Sequence, residues 1–464
     1  MVECWSMSIR FRPDHQWFRA SDGKSLVAGS PLTYFSVSDK GSDILTLVEN
    51  NDLLPDGHEQ LTDRLVAAGA AHPLWHMPTP ADEITVVIPA YLGESRNLDR
   101  LSSLVRRLHG LNIIVVDDCS PEEIVLPGVT VLRHDTNKGP GAARNTGLAH
   151  VTTPFVAFVD DDAIVTEEKI RLLAAQMNDQ RVVLVAPRIN SSENGRLTGE
   201  YEAHHSPLML GEHPAVIRPL SRVSYVPAAV IVCRTKTIQD AGGFDEEMRL
   251  GEDVDLVWRL AAQGNLCRYE PTILCEHETR MTVREFVRQR FGYGTSAAAL
   301  CKRHGNAVTP LRANIILLLP ALALLLGFIW IFLPLLPFVY AWYLLTLRGS
   351  GLSFAQRSRL TSLGLSSTIR LTASAITRAW WPVFFVLAFF SFAIGFALFA
   401  SFLLPAVYGL VRHKPQRVFG YMGLRILDGL AYGAGVWVGA IRQRSLRCLM
   451  PVVTGSALRL RSKA

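Results

Sequence analysis

The chain is poor in cysteine, poor in charge and, over its last third, almost devoid of acid. Its seven cysteines are scattered through 464 residues, with no CxxC pair and no even spacing. That argues against a disulfide framework or a closed structural zinc site and suits a reducing compartment. Charged residues make up only 19% and hydrophobic residues 49%. This composition excludes a disordered chain and is too apolar for a wholly soluble enzyme. Residues 1–9 lack a basic segment followed by an apolar core, so no secretory signal is expected. The length implies two or three domains.

From Leu311 onward, fourteen Arg and two Lys face a single acid, Asp428. The net charge of +6 is therefore split: the last third carries +15 and residues 1–310 carry −9. A nucleic-acid binder would interleave basic and aromatic residues on a polar face, so no nucleic-acid partner is expected. A membrane protein sets Arg at the ends of apolar runs, as here. Residues 313–347 and 379–411 carry no charge, and both runs exceed the ~20 residues that span a bilayer. Five Arg and no acid lie between them, in what reads as a loop. A hairpin in each run keeps those arginines on the cytoplasmic side, with breaks expected at Pro320, Pro334 or Pro337 and at Gly395 or Pro405. The alternative is a pair of helices buried against the soluble part. Ile426–Ile441 is short, holds Asp428 and reads as interfacial.

The division predicted is 1–80, a small module; 81–310, an α/β domain; and 311–464, a basic, apolar, membrane-associated helical region. In the first, Ser8–Phe11, Lys24–Val27 and Leu32–Phe35 read as short strands. Helical patterns follow over Gly41–Val48 and His58–Ala68, which suggests a winged-helix-like module. Pro73, Pro78 and Pro80 read as a linker. In the second, strands are expected at Ile84–Pro89, Asn112–Asp117, Val129–Arg133, Phe155–Asp160 and Val182–Pro187. Helices at Leu98–Leu108, Gly141–His150 and Glu167–Met177 alternate with them, the pattern of a mostly parallel sheet.

Ligands of open α/β sheets bind outside the carboxyl ends of the strands. The first strand ends in Pro89-Ala-Tyr91 and the second in Asp117-Asp-Cys-Ser120. A glycine turn, Asn137-Lys-Gly-Pro-Gly141, opens the helix that carries Arg144. Another strand ends in Asp160-Asp-Asp162. Alternate residues of a strand end share a side, so Asp160 and Asp162 can converge while Asp161 points away. Paired hard oxygens suit Mg²⁺ or Mn²⁺ bridging a diphosphate. Asp118 can accept from a base N–H, Tyr91 can stack on the base, and Arg144 suits either a phosphate or an aspartate. Glu252 and Asp253 open a helical run, where a carboxylate can take a proton from an acceptor hydroxyl or simply face the helix dipole.

On these ordered motifs, residues 84–300 resemble a family 2 glycosyltransferase of GT-A (Rossmann-like) fold. The resemblance implies inverting, metal-dependent transfer from a nucleotide-diphosphate sugar. It assigns Pro89, Tyr91, Asp118, Arg144 and Asp160 to the donor nucleotide, and Asp160 and Asp162 to the metal. Asp253 becomes the general base, with Glu252 beside it on the acceptor side. His277, in Cys275-Glu-His277, matches a further metal or diphosphate contact, or is a core histidine. The QxxRW motif of processive synthases is not matched by Arg288-Gln-Arg-Phe-Gly-Tyr-Gly294, which lacks the tryptophan. The N-terminal module resembles the peptide-recognition domains of ribosomal-peptide maturation. With Arg10-Phe-Arg-Pro13, Ser30-Pro31-Leu32, the run from Arg290-Phe-Gly-Tyr-Gly294 to Ser296-Ala-Ala-Ala-Leu300 and Arg303-His304, the layout resembles the mycofactocin-biosynthesis glycosyltransferase family. That implies glucose from UDP-glucose, added as a β-1,4 chain to a peptide-derived redox cofactor precursor. It also implies a cell-membrane location with the catalytic domain in the cytoplasm. Two other readings compete: a transferase to a polyprenyl phosphate or cell-wall polysaccharide, and a membrane-bound peptide-binding scaffold.

Overall fold

The computed structural model describes residues 9–93, 95–191, 195–278 and 282–455. Ser8, the expected start of the first strand, lies outside them. The N-terminal unit holds β1 (Arg10–Pro13), β2 (Trp17–Arg19), β3 (Ser25–Ala28), β4 (Thr33–Ser36), α1 (Asp39–Asn50), α2 (Glu59–Ala67) and β5 (Ala71–Leu74). Ser38 caps α1 by accepting from the Gly41 N–H, and Asn51 ends it in the left-handed region. β2, β3 and β4 form an antiparallel meander. Pro73 is not linker: it sits in β5, opposite Phe11 of β1. This two-stranded ribbon is all edge, where a missing N–H is tolerated.

The central sheet has nine strands. They are β6 (Ile84–Ala90), β7 (Asn112–Asp117), β8 (Thr130–Arg133), β9 (Phe155–Val159), β10 (Ala163–Ile164), β11 (Val182–Ser191), β12 (Ala215–Ile217), β13 (Val230–Arg234) and β14 (Leu266–His277). Their order is β10-β14-β11-β13-β9-β6-β7-β8, with β12 beside β14. The sheet is mixed rather than mostly parallel: β13 runs antiparallel to both β9 and β11. Every residue of β6 is buried, as a central strand covered on both faces requires. The covering helices are α3 (Ser95–Arg107), α4 (Pro140–Leu148), α5 (Glu167–Ala175), α6 (Leu197–His205), α7 (Thr235–Asp240) and α8 (Glu252–Ala262). This is the GT-A arrangement expected from the motifs.

The chain then enters α9 (Val283–His304), which begins with a Thr282–Glu285 capping box. Beyond β15 (Arg312–Asn314) come α10 (Ile315–Leu325), α11 (Ile329–Thr346), α12 (Phe354–Ala375), α13 (Trp381–Ala388), α14 (Phe392–His413) and α15 (Val418–Arg442). The short β16 (Val452–Thr454) pairs with β15. Among the described residues four helices are long and apolar enough to cross a membrane: α11, the continuous stretch Phe354–Ala388, α14 and α15.

Each uncharged run does bend back, but not where proline suggested. The first breaks at Gly327 (φ +81°), and Pro320, Pro334 and Pro337 stay inside helices. The second breaks before Phe392, while Gly395 and Pro405 lie within α14. Apolar neighbours hold a proline helix together even where one ladder bond is lost. The arginine-bearing segment is largely helical, not a loop: Arg357, Arg359 and Arg370 lie in α12, with Arg348 before it and Arg378 just after it. The Ile426–Ile441 stretch belongs to the 25-residue α15.

α15 packs closely on α9 because glycines remove the intervening side chains. A Cβ on Gly435 would lie 2.0 Å from the Phe291 carbonyl oxygen, and one on Gly294 would lie 2.1 Å from that of Tyr432. Asp428, the lone acid of the last third, is held in this seam. Arg290 Nε lies 3.1 Å from its Oδ1, and the Tyr201 hydroxyl donates to its Oδ2 at 3.0 Å.

Candidate active site

The carboxyl ends of β6, β7 and β9 open on a cleft of about 1140 Å³. Pro89 ends its first wall and Tyr91 stands exposed at the rim. Asp118, just past β7, has both carboxylate oxygens engaged by the glycine loop. Oδ1 accepts from the Lys138 N–H at 2.8 Å and Oδ2 from the Gly139 N–H at 2.7 Å. His134 Nδ1 stands 2.7 Å from Oδ1. Gly139 meets this geometry at φ +94°, which a side chain would resist. Asp118 therefore shapes the loop as well as lining the cleft. Asp117 is fully buried, accepts from the Ser120 N–H at 2.8 Å and pairs with Arg133.

The three aspartates after β9 take three different partners. Asp160 Oδ1 accepts from Arg144 Nη2 at 2.7 Å. Asp161 pairs with Arg100 at 2.8 Å. Asp162 Oδ2 lies 3.0 Å from His277 Nε2. The last contact follows from strand register, since Ala163 of β10 sits opposite His277 of β14. Burial pushes the Asp160 carboxyl up, against the Arg144 charge. Burial and the adjacent Asp162 push Asp161 up to about 6. At Asp162 burial is outweighed by the His277 hydrogen bond and charge, which hold the carboxyl below its ordinary value. At His277 burial is likewise outweighed, and the Asp162 hydrogen bond raises the imidazole.

The other wall is the start of α8. Asp253 Oδ1 accepts from the Val254 N–H at 2.7 Å and Oδ2 from the Ala228 N–H at 3.3 Å. Burial still pushes its carboxyl up. Glu252 is pushed up to about 7 by burial and by the Asp253 charge, against Arg144. Arg144 joins the walls: Nη1 donates to Glu252 Oε1 at 2.9 Å while Nη2 holds Asp160. The guanidinium also lies 5.2 Å from the Phe244 ring centre. Arg144 thus pairs with both carboxyls while lining the cleft.

All of the expected residues line one cleft. Sequence reasoning missed Tyr225, Tyr293, Arg378 and Tyr432, which line it too. No local pattern marks them, because they come from a loop, α9 and the apolar helices.

The donor set suits a hard divalent cation. Asp160 and Asp162 offer carboxylate oxygens; His277 Nε2 is turned to Asp162 and would have to lose its proton before that nitrogen could ligate. Among the described residues no group of three His, Cys, Asp or Glu side chains is placed to hold a metal ion. Oxygens of a bound substrate would have to complete one.

Residues 85–234 match the family described as Glycosyl transferase family 2. The pre-mycofactocin glycosyltransferase of Mycobacterium tuberculosis is 36% identical over 468 residues, covering 93% of this chain and 95% of that one. The succinoglycan biosynthesis protein ExoO of Rhizobium meliloti is 25% identical, covering 41% of this chain and 59% of its own. Among solved structures, the mannosyltransferase PcManGT from Pyrobaculum calidifontis, in complex with GDP-Man and Mn²⁺, has a TM-score of 0.36. It is 17% identical and covers 53% of this chain and 71% of its own. An alignment that covers 93% of this chain and 95% of that one extends well beyond a catalytic domain. The chain belongs to the family of the pre-mycofactocin glycosyltransferase, within the family 2 glycosyltransferases.

Proposed function

We propose that this glycosyltransferase moves glucose from UDP-glucose onto a peptide-derived redox cofactor precursor, inverting the anomeric centre and building a β-1,4 chain. The observation that carries the reading is the shared cleft: Asp253 stands on its own wall, across from the Asp160–Asp162 pair, with Arg144 between. Pro89, Tyr91, Asp118 and the glycine loop receive the nucleotide. Asp160, Asp162 and His277 would hold Mg²⁺ or Mn²⁺. When bound, that cation supplies charge neutralisation for the leaving diphosphate.

Asp253 takes the proton of the acceptor hydroxyl onto a carboxylate oxygen as the hydroxyl oxygen attacks the anomeric carbon. The C–O bond to the diphosphate breaks on the opposite face, so one displacement inverts the centre. The two backbone N–H groups orient the carboxylate, and its raised pKa makes it a better base than an exposed aspartate. Glu252 stays with Arg144, which keeps Asp160 aligned.

The protein is read as three parts, 1–80, 81–310 and 311–464. The first is taken as a winged-helix-like, peptide-recognition-type module, and the last as its anchor in the cell membrane with the catalytic part in the cytoplasm. Arginines near the ends of the apolar helices support that orientation. A lipid-linked acceptor is the second reading, favoured by Leu371 and Tyr432 of the apolar helices lining the cleft. Mass spectrometry of small-molecule extracts with and without the gene tests both. Loss of a hexose-spaced ladder on a small peptide-derived core supports the first reading. An intact ladder with a lost glycolipid or wall glycan supports the second and overturns the first.

A further inference from the structure

Arg378 reaches the catalytic cleft from the apolar helices. It lies in a π-helical turn, Ile376–Trp380, within the long helix Phe354–Ala388. Such turns interrupt the regular ladder and recur at functional sites. This one is held in place. Trp437 Nε1 donates to the Ala379 carbonyl at 2.7 Å and Trp380 Nε1 to that of Leu449 at 2.8 Å. Gly433 lets α15 approach: a Cβ there would sit 3.2 Å from the Arg378 carbonyl oxygen.

The guanidinium lies 4.1 Å from the Tyr432 ring centre. Among the described residues no carboxylate forms a salt bridge with it, Asp428 acting on its charge only from a distance, and its buried Nε has no hydrogen-bond partner. A cation in an apolar helix is costly unless an anion meets it. The glycine loop, Arg144 and the aspartate pair stand at the sheet end of the cleft. Arg378 instead shares its surroundings with Tyr225, a residue that feels the charges of both Arg378 and Asp253. Tyr293 lines the same cleft. We infer that Arg378 binds an anionic oxygen of the acceptor, a carboxylate or a phosphate, with the tyrosines enclosing the body that carries it. The inference rests on Asp253 being the acceptor-side base.

The test uses the full chain in detergent, saturated with UDP and Mn²⁺ so that the donor site is filled. Inorganic phosphate, benzoate and decyl phosphate are titrated calorimetrically into the wild type, Arg378→Met and Arg378→Lys. At least one anion should bind the wild type and bind Arg378→Met about tenfold or more weakly, as loss of a charged hydrogen bond implies. Arg378→Lys should fall between them, and UDP affinity should not change. Preference for decyl phosphate over benzoate identifies a phosphate group, and the reverse a carboxylate. Equal anion binding by wild type and Arg378→Met, or none by the wild type, overturns the inference. So does UDP affinity falling in both variants. Failure of the wild type to bind UDP would instead overturn the donor-site reading itself.

Discussion

The Arg144 guanidinium donates to Glu252 at 2.9 Å, across 108 positions of chain. Its other nitrogen holds Asp160 at 2.7 Å. One side chain on α4 thus ties the strand end that presents the aspartates to the helix start that presents Asp253. Both Arg144 and Glu252 are buried, so removing the cation leaves the Glu252 and Asp160 carboxyls without the donor they share. Arg144→Met should destabilise the fold by roughly 3–5 kcal/mol, the usual loss when one partner of a buried pair is removed. Chemical denaturation read by circular dichroism checks this. A loss below about 1 kcal/mol would place the pair among surface bridges.

Asp253→Asn keeps the side-chain shape but removes the proton acceptor. Turnover should drop about 10²–10⁴-fold, while UDP–Mn²⁺ affinity stays within about threefold, less than 1 kcal/mol. Single-turnover transfer and calorimetric UDP binding separate the two. Equal loss of both would show that Asp253 serves the donor rather than the acceptor.

Asp162→Ala should abolish the dependence of UDP binding on Mn²⁺. His277→Ala should weaken it less and also release the Asp162 carboxyl, since the His277 hydrogen bond and charge are what hold that carboxyl down against burial. Titrating Mn²⁺ at fixed UDP is the measurement. UDP binding by Asp162→Ala that still responds to Mn²⁺ as the wild type does would remove Asp162 from the metal site.

Glu252 carries a pH signature. Its folded carboxyl holds a proton up to about pH 7, whereas the ordinary value is 4.5. Between those limits the folded state binds more protons than the unfolded one, so Glu252 makes stability fall as pH rises. Above about pH 7 its cost is complete. The melting temperature of the wild type should therefore decline more steeply across this window than that of Glu252→Gln. Parallel curves would show that Glu252 ionises normally.

The α9–α15 seam predicts a defect of another kind. Gly435→Ala sets a methyl 2.0 Å from a backbone oxygen, which no rotamer change relieves. Overpacking of this sort costs roughly 1–3 kcal/mol. Because α9 and α15 supply Tyr293 and Tyr432 to the cleft, transfer should fall while UDP binding persists. UDP binding lost in step with transfer would mean that the seam supports the whole catalytic fold.

Short-range chemistry made much of this protein legible in its sequence. Apolar strands that end in Pro89, Asp117 and Asp160 declare a sheet with acids at its carboxyl edge, because strand burial and ligand chemistry lie next to each other in the chain. Ser38, Thr282 and Ser353 cap their helices by local hydrogen bonds as well, a signal the sequence reading did not use. Long uncharged runs declare apolar helices, whatever surrounds them.

The tertiary structure decided what depends on partners far apart in sequence. Pro334 and Pro405 would break an isolated helix, yet neighbouring helices hold theirs through, and Gly327 makes the turn. His277 stands at Asp162 only because β10 pairs with β14 in one register. Arg144 faces Glu252 rather than solvent because α4 and α8 meet above the sheet. Arg378 enters the cleft because a π turn and a stripe of glycines let three helices close on it. A pattern of residue types carries local preference. The charge, reach and company of a side chain follow from the packing that surrounds it.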